Sequence, residues 1–174
     1  MRRSAPALVA VLAACAATPH QPTIAPRPFT ADQIRAAMPV GTVIEFRMEQ
    51  PPQPPIVMHW TVTAADARSI TISTRLAAED GTLIKDAGAE TTAWSDLVKH
   101  ATFPADATTM TESSVTVPAG TFESIDYVVK ATAKDGRPVV RTLRFAKSLP
   151  GPPVSLVEEK DGAVIMRMTL LSRK

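Results

Sequence analysis

The sequence predicts an α+β domain that is mainly β: a curved antiparallel sheet, an open half-barrel, of about nine strands with two short helices. Three observations predict it. Apolar and polar residues alternate over many short runs, as in Ile44, Phe46 and Met48 against Glu45, Arg47 and Glu49. Asp-Gly dipeptides at 80–81, 135–136 and 161–162 stand between such runs and read as hairpin turns. Helical spacing occurs only in two short stretches, near 31–38 and 93–101. Consecutive hairpins make the sheet antiparallel, and the alternation leaves many strands with one wet face. A sheet of so many strands curls or closes. The chain has 174 residues, 45% apolar and 21% charged, which suits one globular domain able to bury a core.

The first segment reads as an address. Arg2 and Arg3 form a positive start, and Ala5 to Ala14 is an apolar stretch broken only by Pro6. This layout is that of a signal peptide over residues 1–14. It is too short to span a bilayer, which takes about 20 apolar residues. It ends in Leu12-Ala13-Ala14-Cys15. That tetrapeptide resembles the lipobox of bacterial lipoproteins. The resemblance implies that Cys15 is lipidated and becomes the first mature residue. Cys15 is the only cysteine, so no internal disulfide forms. Two or more acyl chains would hold the protein firmly on a membrane. Removing residues 1–14 leaves 17 basic side chains, 19 less Arg2 and Arg3, against 17 acidic ones. A neutral chain without a Lys/Arg cluster has no electrostatic footprint for nucleic acid. Ala16 follows the cysteine where inner-membrane lipoproteins carry Asp, so the resemblance implies an envelope location, lipid-anchored at the outer membrane and facing the periplasm.

Residues 15–29 read as the lipidated cysteine and a stiff spacer, with prolines at 19, 22, 26 and 28 and a solvated His20. The single domain is expected over 30–174. Thr30 and Gln33 form a capping box for a helix to about Met38, with Ile34, Ala37 and Met38 on one side. Pro39 and Gly41 end it. Strands follow around Ile44–Met48, Met58–Thr63, Ile70–Leu76 and Leu83–Ala89. A helix over Ala93–Ala101, capped by Thr92, places Trp94, Leu97, Val98 and Ala101 on one face, and Pro104 stops it. Further strands begin at Val115, run from Glu123 to Thr132, return from Val139 to Phe145, and close as a hairpin of Val154–Glu158 and Ala163–Leu171.

Chemistry-bearing motifs are scarce. The chain has no G-x-S-x-G, no P-loop and no G-x-G-x-x-G. His20, His59 and His100 are isolated, and no Ser/His/Asp spacing stands out. Met166-Arg167-Met168 invites copper, since thioethers suit Cu(I). The two methionines instead share a strand face with Val164 and Leu170, which makes an apolar wall. Glu158 and Glu159 are adjacent and point to opposite faces of a strand. No catalytic residue, metal or cofactor is expected.

Two segments are distinctive: Val117-Pro118-Ala119-Gly120-Thr121-Phe122 and Phe145-Ala146-Lys147-Ser148-Leu149-Pro150-Gly151-Pro152-Pro153-Val154. Each places a glycine and prolines at a corner between strands. Their order resembles that of bacterial envelope proteins similar in layout to the outer-membrane lipoprotein carrier and receptor family. The likeness of layout runs over about residues 40–171. It implies an open antiparallel half-barrel whose mouth is covered by helices and whose concavity binds acyl chains. The family's helical lid is larger than two short helices provide. The expectation is a non-enzymatic, lipid-anchored binding module for a lipid or other hydrophobic ligand, lined by Phe46, Met58, Trp60, Val62, Met166 and Met168. Its partners would be the membrane, through Cys15, and a hydrophobic small molecule or lipid. The alternative is a structural lipoprotein docking an envelope protein or cell-wall partner. A lining cavity of several hundred Å³, about the usual size for ligand sites, separates the two.

Overall fold

A computed structural model describes residues 23–133 and 135–174. The signal peptide, Cys15 and the spacer as far as residue 22 lie outside the described residues. Nine strands form a single antiparallel sheet that is not closed into a barrel: β1 (Val43–Glu49), β2 (Ile56–Ala65), β3 (Ser69–Ala78), β4 (Leu83–Ala93), β5 (Thr108–Val117), β6 (Gly120–Thr132), β7 (Pro138–Ala146), β8 (Ser155–Lys160) and β9 (Ala163–Arg173). Among the described residues, two short α-helices, α1 (Ala31–Ala37) and α2 (Trp94–Lys99), accompany the sheet.

The strand order is β4-β3-β2-β1-β9-β8-β7-β6-β5. It consists of two meanders, β1–β4 and β5–β9, joined where the first strand pairs the last, Phe46 opposite Leu170 and Met48 opposite Met168. The consequence for function is topological. β4 and β5 follow one another in sequence yet form opposite edges of the sheet. The chain between them must therefore cross a face of the sheet, and it carries α2 and a 3-10 turn (Ala105–Ala107) over it. The covered side is called the inner face below.

α1 forms where its capping box stands. Thr30 N–H donates to Gln33 Oε1 at 2.8 Å, and Gln33 N–H donates to Thr30 Oγ1 at 3.2 Å. Ile34 and Met38 are its buried residues and face the core cluster. Residues 23–29, read from their prolines as the end of a spacer, pack on the domain instead. Ile24 bridges Pro104, Ala25 N–H donates to Phe103 O at 2.9 Å, and Ala105 N–H donates to Thr23 O at 2.8 Å. The reason is apolar burial: Ala25 and Phe29 are both buried, and the proline stretch contributes the Pro26 carbonyl to Tyr127 Oη at 2.7 Å. The ordered domain thus begins before Thr30.

Two boundaries also differ from the pattern in the sequence. Thr92 belongs to β4, not to a cap, and α2 starts from Ala93 without a side-chain cap. Its start is held otherwise. Trp94 N–H donates to Arg68 O at 3.1 Å and the indole Nε1–H to Asp66 O at 2.9 Å. β5 begins at Thr108 rather than near Val115, because Thr108–Ser114 is an edge segment whose polar side chains hide the alternation.

The core lies between the inner face and the crossing segments. Phe46, Ile44, Ile70, Val62 and Tyr127 are fully buried. An aromatic chain fastens the N-terminal segment and the crossing connection to the second meander. Phe29 and Phe145 centroids are 6.2 Å apart, Phe145 and Tyr127 5.5 Å, and Tyr127 and Phe103 5.5 Å. The two edge-on pairs, Phe29 with Phe145 and Phe145 with Tyr127, add to plain area burial. Burial also pushes the Tyr127 phenol above its ordinary pKa.

Both distinctive segments are corners. Gly120 has φ +138° at the β5–β6 turn. Gly151 has φ +144° in the Leu149–Pro153 corner, and a Cβ there would stand in van der Waals contact, at 3.4 Å, with both the Arg173 guanidinium and the Met38 sulfur. Only glycine takes this backbone without strain. Arg173 ties three elements together: it donates to Pro150 O at 3.2 Å and to Ala37 O at the end of α1. Desolvation lowers its pKa from the ordinary arginine value.

Candidate functional site: a cavity under the helices

A cavity of about 420 Å³ lies between α1, α2 and the inner face. Its lining comes from every part of the fold that the topology brings together. Ile34 and Met38 descend from α1, and Leu97, Val98 and Ala101 from α2 and the turn after it. Trp60 and Ile72 come from the first meander. Leu143, Phe145, Leu156 and Met168 come from the second, in which Leu143 pairs Leu156 and Leu156 pairs Met168 as one cross-strand row. Pro28 and Phe29 close one side, and Gly151, Pro152 and Pro153 another. Most of these walls are apolar, and Phe29, Ile34, Met38, Val98, Leu143 and Phe145 are buried.

The polar lining is confined to one quarter: Thr74 of β3, Glu90 and Thr92 of β4, and His100 just after α2. Of all the lining residues, only Glu90 and His100 are exposed, so the cavity meets solvent there. The interior is mainly apolar and the mouth is polar. An apolar site with a few convergent polar groups is the common form of a small-molecule site.

The six residues expected to line the concavity divide into three groups. Trp60 and Met168 line it. Phe46, at 0% exposure, and Val62, at 2%, are filled core behind the wall, and the Phe46 ring stands edge-on to Trp60 at 5.4 Å. Met58 packs against the core between Phe46 and Leu76 without reaching the cavity. Met166 is half-buried opposite Glu158 and is not part of the lining. The inner face is thus the right face, but Phe46 and Val62 are sealed behind the wall by packing. The main contributors missed were the helices and strands β7 and β8 of the second meander. Their signal was present in the apolar faces of α1 and α2, which needed something to cover.

Two other polar places were tested by their geometry. On the outer face, the Glu45 carboxylate accepts from Ser172 Oγ at 2.8 Å and stands 3.2 Å from His59 Nδ1. Serine activation requires the imidazole between serine and carboxylate. Here the carboxylate is in the middle, so this arrangement activates nothing. A groove of about 580 Å³ beside it is lined by His59, Thr61, Thr63, Ser73 and Arg75. It is larger, but it lies on the solvated face with Thr63 and Arg75 exposed, and nothing closes over it. In the second meander, Asp126 accepts from Ser124 at 2.7 Å, Ser113 at 2.9 Å and Arg144 at 3.1 Å. Every partner there is satisfied within the sheet, which is the pattern of a structural network. Among the described residues no three His, Cys, Asp or Glu side chains converge as metal ligands, and no helix is long and apolar enough to cross a membrane.

No protein-family model, no curated protein and no solved structure matches the chain.

Proposed function

We propose that the chain is a lipid-anchored envelope protein whose domain is a non-enzymatic binding module for a lipid or other hydrophobic ligand. The observation that carries this is the 420 Å³ cavity, walled by apolar side chains from both helices and both meanders, with one polar mouth. A recess of that size, walled mainly by apolar side chains with a few polar groups on one side, falls within the range of small-molecule sites. The anchor rests on the lipobox at Cys15, and the outer-membrane location on Ala16 after it.

Exposed Leu83 and Ile84 on the edge strand favour a second reading, docking of an envelope partner along β4. The edge is blunted against it. Gly88 has φ +76° at a bulge, Asp86 Oδ1 accepts its N–H at 2.9 Å, and Lys85 and Asp86 stand beside the apolar pair.

The test is native mass spectrometry of the protein purified gently from bacterial envelope. A stoichiometric amphiphile, lost in a Leu156→Trp variant that fills the cavity, is the expected result. A bare protein mass with the domain folded overturns the binding function. Replacing Cys15 by Ser should move the protein from the membrane fraction to the soluble one; retention there would contradict the anchor.

A further inference from the structure

The shape and charge of the cavity narrow what it takes. The cavity, about 420 Å³ and walled mainly by apolar side chains, is of a size that takes an alkyl chain. The mouth has a sign. Glu90 is the only residue of the lining with a formal charge at neutral pH when histidine is counted neutral, and it joins no ion pair among the described residues. It pairs with Ile72 in the sheet, and both side chains belong to the cavity face. Neighbouring carboxylates on the same sheet are otherwise engaged: Asp86, four residues earlier on β4, meets Arg75 at 3.4 Å, outside the cavity lining. An apolar slot ending at a free carboxylate, with Thr92 and His100 in the same polar quarter of the lining, has the complement of an amphiphile with a cationic head.

We infer, on the basis of the binding function proposed above, that the ligand is an amphiphile whose positively charged headgroup sits at Glu90 while its apolar part lies against Leu143, Leu156 and Met168. A fatty acid would set carboxylate against carboxylate at the mouth.

The test uses the full chain carrying Cys15→Ser and follows Trp60 fluorescence during titration with dodecylamine, dodecanol and dodecanoate, each below its aggregation limit. Dodecanol reports on the slot alone. Dodecylamine is expected to bind about fivefold tighter than dodecanol and dodecanoate about fivefold weaker, the size of one partly exposed charge contact. Glu90→Gln should bring the three together, and Asp86→Asn should leave their order unchanged. In a series of short primary amines, affinity should rise about fourfold per added methylene as each enters the apolar slot. Equal affinity for the three headgroups, or a preference that survives Glu90→Gln, overturns the headgroup assignment while dodecanol binding keeps the slot. An affinity that does not change with chain length overturns the apolar slot as the seat of the chain. Failure of all three ligands to bind overturns both this inference and the binding function beneath it.

Discussion

The two wings of the sheet are built to different standards. In the β6–β7 wing, Tyr127, Val129, Val139, Leu143, Phe145 and Ala146 are all buried, and the N-terminal segment lies over them. In the opposite wing, every residue of β4 from Leu83 to Thr91 is exposed. One wing is a packed core that happens to offer a wall. The other is a thin flap that offers a mouth. The difference teaches where specificity and stability reside. Changes in the packed wing should unfold the domain, and changes on β4 should alter binding with little effect on folding.

The largest expected effect tests the packed wing. Phe145→Ala should cost about 3–5 kcal/mol in urea unfolding, because it removes a buried ring from an aromatic chain that the site cannot refill. Ile84→Ala on β4, 57% exposed, should change stability by less than about 0.5 kcal/mol in the same assay. Similar losses from the two would break the comparison. Hydrogen exchange sharpens it further: amides of β4 should exchange before those of β6 and β7.

Next in size is the corner. Gly151→Ala should cost about 1–3 kcal/mol, since its backbone conformation is one that residues with a Cβ adopt only under strain. The loss should be accompanied by weaker ligand binding, because the same corner lines the cavity and touches Met38 of α1. Tyr127→Phe should cost about 1 kcal/mol by removing the hydroxyl's bond to Pro26 O while leaving the ring in place. Its clearest readout is faster proteolysis of the N-terminal segment.

The smallest effect is electrostatic. Asp135 accepts from Lys160 at 2.6 Å and from Arg137 at 2.9 Å, joining the tips of two hairpins. These partners hold its carboxyl well below the usual carboxylate range. A depressed folded-state pKa contributes stability that is present above the unfolded value, about 3.9, and is lost as pH falls toward the folded one. Asp135→Asn should therefore be slightly less stable than the parent at pH 7, and the gap should close in acid. High salt should narrow it too, because the group is fully exposed.

Much of this architecture was legible in the residues. The three Asp-Gly turns, the Thr30 capping box and the alternation in β1, β2 and β3 each follow from local rules, and each stands in the structure. The edge segment Thr108–Ser114 was not legible, since an edge strand keeps no apolar period. Neither was the role of residues 23–29, where prolines read as spacer while Ala25 and Phe29 were anchors. The cavity was half legible. Period two placed Trp60 and Met168 on the inner face, but it cannot tell a wall from the packed layer behind it, so Phe46 and Val62 were indistinguishable from them. That distinction depends on strand order. Pairing β1 with β9 joins the two meanders into one sheet, and sending the chain from β4 across to β5 roofs one side of it. No local pattern encodes a pairing between strands more than a hundred residues apart.

The central claim is that the space under α1 and α2 holds a hydrophobic ligand. Methyl NMR during titration of the full chain, carrying Cys15→Ser, with dodecanol tests it most directly. Shifts should concentrate at Ile34, Met38, Ile72, Leu143, Leu156 and Met168, which line the cavity, and leave Val117 and Ile165 unmoved. Shifts gathered at Leu83 and Ile84 instead, or none at saturating ligand, would contradict it.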